Sequence, residues 1–252
     1  MNSAGDAGPA DRGLLPGDRS FAQSLPAFLI PYVAYVALPS LLGRLLPAEA
    51  ADALRFAVVA ALLWAFRKSY RFGRPLTARQ AGLAAAAAVA ALALWVLSYR
   101  LALSLPWWRP QLASAAAAQP SEAYWLARAL NSVLLVPLFE ELFCRAWVGE
   151  LLHGLPSGPG GFSARLGHRM DDHPGALSTP PLSRAAVIGC TLVFMAGHNL
   201  SAWPAAAAYF LFTSWVYRRT GSFRVCVLVH GLVNLGVALL VRLGPDMRFL
   251  WF

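Results

Sequence analysis

Seven long apolar stretches follow one another along the chain, separated by shorter polar and basic segments. Each stretch is apolar on all sides rather than along one stripe, which is typical of helices surrounded by lipid or by other apolar helices. Most are close to the length of about 20 residues that crosses a bilayer. The pattern therefore predicts an all-α fold, a polytopic transmembrane helical bundle of seven or eight spans. The stretches are residues 25–46, 51–66, 80–97, 123–152, 184–199, 202–217 and 223–243.

The same pattern divides the chain into four parts. A polar segment over residues 1–22 comes first; it lacks the basic start of a signal peptide, so the first apolar stretch is expected to stay as a helix. Residues 23–122 hold the N-terminal transmembrane helices, and residues 123–243 form a second transmembrane domain with the candidate site. Residues 244–252 are a short tail. Residues 154–181, rich in Gly, Pro, Ser and His, are expected to form a cytoplasmic loop.

Composition supports an integral membrane protein. Hydrophobic residues make up 58% of the chain and charged residues only 13%, about half the share that soluble domains carry. The net charge of +9 does not indicate nucleic-acid binding, because the basic residues lie between the apolar stretches, where they orient helices in a membrane. The strongest cluster follows the second stretch. This distribution predicts a cytoplasmic N-terminus, and we expect the protein to lie in a bacterial inner membrane. The cluster consists of Arg67, Lys68, Arg71, Arg74 and Arg79.

The fourth apolar stretch carries ionisable residues where a membrane helix should have none. Glu140 and Glu141 are adjacent, and Arg145 follows Glu141 by four residues, a spacing at which two side chains meet on one helix face. Glu140 points about 100° away and has no such partner in its own helix. Because charged residues inside a membrane are costly, they are functional candidates. The spacing predicts one carboxylate held by Arg145 and one free to act as a general base.

Two further stretches carry polar residues at a depth in the membrane similar to that of Glu140. The fifth holds Phe194 and His198, and the seventh holds His230 and Asn234, which are four residues apart on one face. We expect the side chains of Glu140, His198 and His230 to lie within about 10 Å of one another, close enough to share one water and one substrate carbonyl. A carboxylate, two imidazoles and an amide can activate water and stabilise an oxyanion.

The ordered motifs EExxxR (Glu140, Glu141, Arg145), FxxxH (Phe194, His198) and HxxxN (His230, Asn234) resemble those of the CAAX protease and bacteriocin-processing (CPBP, Abi) family. The resemblance covers about residues 123–243. It implies an intramembrane endopeptidase, similar to a type II CAAX prenyl protease. It also implies that Glu140, assisted by His198, activates water, that Glu141 pairs with Arg145, that His230 and Asn234 hold the oxyanion, and that Phe194 shapes the pocket.

The family resemblance leaves the metal question open. Members have been described both as metalloproteases and as glutamate-type proteases. Two histidines and a glutamate could hold zinc with an open fourth position, and the set here would be Glu140, His198 and His230. No cofactor is firmly implied, and we expect no tightly bound metal.

A finer resemblance concerns the end of the chain. The segment from Val225 to His230, then Asn234 and an aromatic tail of Phe249, Trp251 and Phe252, is similar to the subgroup associated with exosortase-type protein sorting. That subgroup would imply a C-terminal sorting helix as the substrate instead of a prenylated tail. The expected partners are the lipid bilayer and a membrane-protein or lipidated-protein substrate, with no nucleic acid.

Two alternatives belong to other functional classes. His198 and His230 could bind a haem as a pair of axial ligands in an electron carrier, although Glu140, Glu141 and Arg145 would then have no role. The chain could also be a scaffold or immunity protein without catalytic turnover.

Overall fold

The computed structural model describes residues 19–43, 45–72, 75–105, 121–155, 160–172 and 182–244, and within these ranges all regular structure is helical. The all-α prediction is therefore confirmed. The long helices are α1 (Phe21–Leu42), α2 (Ala48–Ala65), α3 (Ala78–Ser104), α9 (Trp203–Thr220) and α10 (Phe223–Leu243). The shorter α7 (Phe162–Asp171) and α8 (Arg184–Ala196) lie between them in the chain.

The fourth predicted stretch is a continuous helical segment over residues 122–154, here called the composite helix. It consists of α4 (Glu122–Leu130), a π-helical segment (Asn131–Leu135), α5 (Val136–Glu140), a second π-helical segment (Glu141–Val148) and α6 (Gly149–Gly154). Pro137 lies just after the first π segment and cannot donate a hydrogen bond to the carbonyl four residues earlier. Irregularities of this kind are common at functional sites, and here they flank Glu140 and Glu141.

Helix α10 lies unusually close to the composite helix. A methyl group added at Gly231 would be only 3.0 Å from the backbone carbonyl oxygen of Val133. That carbonyl is the one that Pro137 leaves without its usual helical donor. Glycine at position 231 therefore permits the backbone approach, and the neighbouring Asn234 uses it by donating from Nδ2 to the Ser132 carbonyl over 2.7 Å.

The bundle has two chemically different ends. At one end, Arg19 donates to Ser69, and Arg224 donates to the Phe72 carbonyl. These contacts join the start of α1, the α2–α3 connection and the start of α10. This end, here called the basic end, holds most of the described lysine and arginine residues. They are Arg19, Arg67, Lys68, Arg71, Arg79, Arg165, Arg169, Arg184, Arg218, Arg219 and Arg224.

The opposite end, here called the far end, is where α3 and α10 finish and the composite helix begins. Arg242 forms an exposed ion pair with Glu122 at 2.5 Å, and the Trp125 indole donates to the Ala238 carbonyl. Among the described residues, the other lysines or arginines in this half of the bundle are Arg55, Arg100 and Arg128. The charge asymmetry that the sequence predicts is thus a property of the folded bundle.

Each of the seven predicted stretches contains a helix, and three of these helices are long and apolar enough to cross a membrane by length and composition: α1, α3 and α10. Large apolar side chains such as Val89 and Leu97 are two-thirds or more exposed on the outer surface, as expected for contact with lipid. Helix α2 carries Asp52 and Arg55, which are buried and paired at 2.5 Å. The total number of spans stays a prediction.

Two sequence expectations need correction. Residues 154–181 are not only loop, because α7 lies within them. Asp172, which follows α7, accepts a hydrogen bond at its backbone carbonyl from the Phe21 backbone N–H at the start of α1. The fifth stretch ends as a helix at Ala196 instead of continuing to residue 199, so His198 lies in the turn that follows. The aromatic tail (Phe249, Trp251, Phe252) lies outside the described residues.

The close approach at Gly231 predicts an unusual effect of alanine. Replacing glycine by alanine inside a helix normally stabilises it by roughly 0.5–1 kcal/mol. In Gly231→Ala, however, the new methyl group would press on a backbone carbonyl, so we expect a lower melting temperature in detergent. Gly82→Ala is the matched control, because Gly82 is inside α3 and an added methyl group meets nothing within 4 Å. An unchanged or raised melting temperature for Gly231→Ala would show that the approach imposes no constraint.

Candidate active site

The two glutamates lie at the join between α5 and the second π-helical segment, near the middle of the composite helix. Glu140 is 8% exposed and Glu141 1% exposed. Each carboxylate thus needs a compensating group within the protein, because an unpaired buried charge is strongly destabilising. The two are compensated in different ways.

Glu141 is held by Arg145, as the spacing predicts. Arg145 donates from Nε to Glu141 Oε2 at 2.5 Å, and its two terminal nitrogens donate to Ser214 Oγ at 3.1 Å and Thr213 Oγ1 at 3.0 Å. The guanidinium also lies 4.5 Å from the centre of the Phe210 ring. Arg145 is 1% exposed, so the pair ties the composite helix to α9 from inside the bundle.

His230 of α10 lies between the two carboxylates. Its Nδ1 is 3.4 Å from Glu141 Oε1, and its Nε2 is 3.6 Å from Glu140 Oε2. Neither contact meets hydrogen-bond geometry, and Glu140 Oε2, Glu141 Oε1 and His230 Nδ1 are buried without a hydrogen-bond partner among the described groups. The expectation that Glu140 has no partner in its own helix holds, but it has a close neighbour from another helix.

His198 approaches the same place from the turn after α8. Its Nδ1 is 2.8 Å from the Phe194 carbonyl oxygen. Because a carbonyl only accepts hydrogen bonds, Nδ1 carries the proton, and Nε2 of the neutral ring is left as an acceptor. The ring packs between Phe194 and Trp95, with centroid distances of 4.6 Å and 5.7 Å. These contacts fix the orientation of His198.

A cavity of about 260 Å³ brings these groups together. Glu140, His198, His230, Asn234 and the aromatic ring of Phe194 all line it. Glu141 and Arg145 are not among its lining residues; they lie behind Glu140 and His230. Of the seven residues singled out from the sequence, five therefore face one cavity and two support it.

Asn234 has a more restricted position than the sequence suggests. Its side-chain nitrogen donates to the Ser132 carbonyl at 2.7 Å. Since the amide nitrogen has two hydrogens, one N–H remains for another acceptor. Asn234 thus also holds α10 against the composite helix.

Sequence reasoning missed several residues of the cavity, of which Tyr209 is the most prominent. Its ring centre is 5.2 Å from that of His230, and its hydroxyl is buried without a hydrogen-bond partner in the described structure. Tyr35, Trp95, Tyr99 and Arg128 also line the cavity. An aromatic residue in an apolar stretch gives no periodic signal that separates a cavity wall from ordinary core.

The side chains present do not fit a zinc site. Throughout the described ranges, no group of three or more His, Cys, Asp or Glu residues is arranged to hold a metal ion. His230 faces a carboxylate oxygen with each nitrogen, and Nδ1 of His198 is directed at a carbonyl. The set of Glu140, His198 and His230 proposed for zinc is thus not assembled. The same contacts disfavour haem, which would need a free nitrogen on His230.

Comparisons with known proteins bear on the same segment. No curated protein and no solved structure gives a significant match. Residues 122–236 match the family model described as type II CAAX prenyl endopeptidase Rce1-like. That segment contains Glu140, His198, His230 and Asn234. The resemblance to the CAAX protease family that the motifs predict is therefore confirmed for the part of the chain that supplies these four residues of the cavity.

Proposed function

We propose that this protein is an intramembrane endopeptidase that hydrolyses a peptide bond of a membrane-associated protein. The observation that carries the proposal is the position of Glu140. Its side chain is buried and lines the cavity, and its Oε2, which lies 3.6 Å from His230 Nε2, accepts no hydrogen bond from a described group. A water bound there would lose a proton to the carboxylate while its oxygen attacks a carbonyl carbon.

His198 would hold the other side of that water. With Nδ1 on the Phe194 carbonyl, its Nε2 can accept a hydrogen bond from the water. The water would then be oriented by two acceptors, and its lone pair would face the substrate carbonyl. Holding reactants in this way removes much of the entropic part of the barrier.

His230 and the remaining N–H of Asn234 would stabilise the oxyanion. If His230 carries a proton on both nitrogens, the charges of Arg145, Glu141, His230 and Glu140 alternate in sign along the contacts observed between them. Nδ1–H then faces Glu141 and Nε2–H faces Glu140, so the oxyanion would bind beside Nε2–H once Glu140 has taken up the proton of the water. Donors fixed before the reaction stabilise the charge that develops on the carbonyl oxygen.

The tetrahedral intermediate would collapse by breaking the carbon–nitrogen bond. Glu140, now protonated, would return its proton to the leaving amine. The products are one new carboxyl terminus and one new amino terminus, and the water is fully accounted for. A scaffold or immunity protein would have no catalytic turnover, so this arrangement of residues would have no catalytic role in it.

For the membrane arrangement, we propose seven or eight spans with the basic end in the cytoplasm of a bacterial cell. The apolar outer surface and the three helices long enough to span a bilayer support this arrangement. The substrate would be a membrane or lipidated protein. An association with a protein-sorting system remains a prediction.

The role of Glu140 predicts a separation of activity from stability. In Glu140→Gln the side chain keeps its size but cannot take a proton, so we expect normal abundance in membranes and a loss of rate of about 10²–10⁴-fold. The measurement compares the carboxyl termini of membrane proteins in cells that express the wild type or the variant. Termini that form equally in both would mean that Glu140 is not the base.

The role of Glu141 predicts that its loss lowers stability together with activity. Glu141→Ala leaves the buried Arg145 unpaired, which should cost roughly 3–5 kcal/mol of stability, and abundance and melting temperature should fall with activity. Glu122→Ala is the control, because it breaks the exposed ion pair with Arg242, worth about 0–1 kcal/mol. Equal stability of the two variants would contradict the structural role given to Glu141.

A further inference from the structure

The cavity extends from Glu140 and His230 in one direction only. On the composite helix, its other lining residues precede Glu140, and on α10 they follow His230. Because these two helices run in opposite directions, both sets lie towards the far end of the bundle. On the two helices the lining residues are Arg128, Ser132, Val136, Glu140, His230, Val233, Asn234 and Val237.

On the side of the basic end, the cavity has a closed floor. This floor is formed by residues that follow Glu140 in the composite helix, follow Tyr209 in α9, and precede His230 in α10. Each of them is between 0% and 2% exposed, and Arg145 donates hydrogen bonds to two of the others, Thr213 and Ser214. A substrate on that side would have to pass through close-packed core. The floor residues are Cys144, Arg145, Thr213, Ser214, Cys226 and Val229.

On the opposite side, the cavity is bordered by the turn between α8 and α9, which does not reach the far end of the bundle. Helix α8 has 13 residues and α10 has 21, so at 1.5 Å per residue they are about 20 Å and 31 Å long. Both start at the basic end, and the turn after α8 thus falls roughly 10 Å short of the far end. Gly197, His198 and Asn199 of this turn line the cavity, and Asn199 is exposed. Within the described ranges, the cavity therefore opens over this turn.

The charge distribution assigns a side of the membrane to this opening. Lysine and arginine residues concentrate on the cytoplasmic side of membrane proteins, so the basic end is cytoplasmic and the far end is not. We infer that the candidate active site opens to the extracytoplasmic side, and that its substrate is a peptide segment presented from that side at the outer half of the bilayer. The identity of the occupant as a substrate rests on the proposed peptidase activity, whereas the side of the opening rests on the proposed membrane arrangement.

This inference restricts the substrate class. A carboxyl-terminal tail held on the cytoplasmic face would meet the closed floor instead of the opening. A segment next to a transmembrane helix, on its extracytoplasmic side, would reach Glu140 over the α8–α9 turn.

Cysteine labelling tests the side of the opening without reference to catalysis. Asn199→Cys places a thiol at the mouth, and Lys68→Cys places one on the exposed connection at the basic end. The three native cysteines are fully buried, so the unaltered protein serves as the background control. The probe is a charged maleimide that does not cross membranes, applied to intact spheroplasts and to lysed membranes.

We expect Asn199→Cys to react in intact spheroplasts and Lys68→Cys to react only after lysis. Reaction of both thiols on the same side, the reverse pattern, or no reaction of Asn199→Cys even after lysis would overturn the inference. A protein that shows the expected labelling but produces no new termini would refute the proposed peptidase activity alone. Cleavage combined with the reverse labelling would refute only the direction of the opening.

Discussion

The buried contact between Arg145 and Glu141 is the constraint on which the rest of the site depends. A guanidinium at 1% exposure is tolerable only with full compensation, and here one carboxylate, two hydroxyls and an aromatic ring surround it. These partners come from the composite helix and α9, so the charge fixes the two elements relative to each other. Glu141 then presents its second oxygen to His230, and His230 reaches Glu140. The position of the reactive carboxylate follows from this row of contacts.

The backbone supports the same arrangement from the other side of His230. Glycine at 231 and the missing N–H of Pro137 allow α10 and the composite helix to approach within van der Waals contact of their backbones. Asn234 secures the approach through the Ser132 carbonyl. A histidine on a helix held this closely has little freedom to rotate away, which is the preorganisation that an oxyanion donor needs. The composite helix itself departs from α-helical geometry around the glutamates, with one π-helical segment on each side of α5.

Much of the fold and of the candidate site could be predicted from the sequence. Membrane helices are recognised by long apolar stretches, and candidate functional residues by their polarity within those stretches. Glu141 and Arg145 were paired from their spacing alone, and His198, His230 and Asn234 stood out as polar residues in apolar stretches. The sequence also predicts that Glu140 and His230 lie near each other, and His230 Nε2 is 3.6 Å from Glu140 Oε2. The sequence does not predict that His230 lies between the two glutamates, because the way residues 90 positions apart face each other depends on how the helices pack. Nor does it predict the role of Tyr209 or Trp95, because aromatic residues are equally common in core, interface and cavity walls. The helix α7 was missed because a Gly- and Pro-rich segment carries a weak helical pattern.

The central claim is that this chain hydrolyses peptide bonds with water activated at Glu140. The most direct measurement incubates the purified protein, in water enriched with oxygen-18, with membranes from cells that express Glu140→Gln and so retain uncleaved substrate. Mass spectrometry of carboxyl termini then detects the products. The account predicts new carboxyl termini that carry oxygen-18 with the wild-type protein and none with purified Glu140→Gln. An absence of labelled termini with the wild type, or equal labelling with the variant, would contradict it.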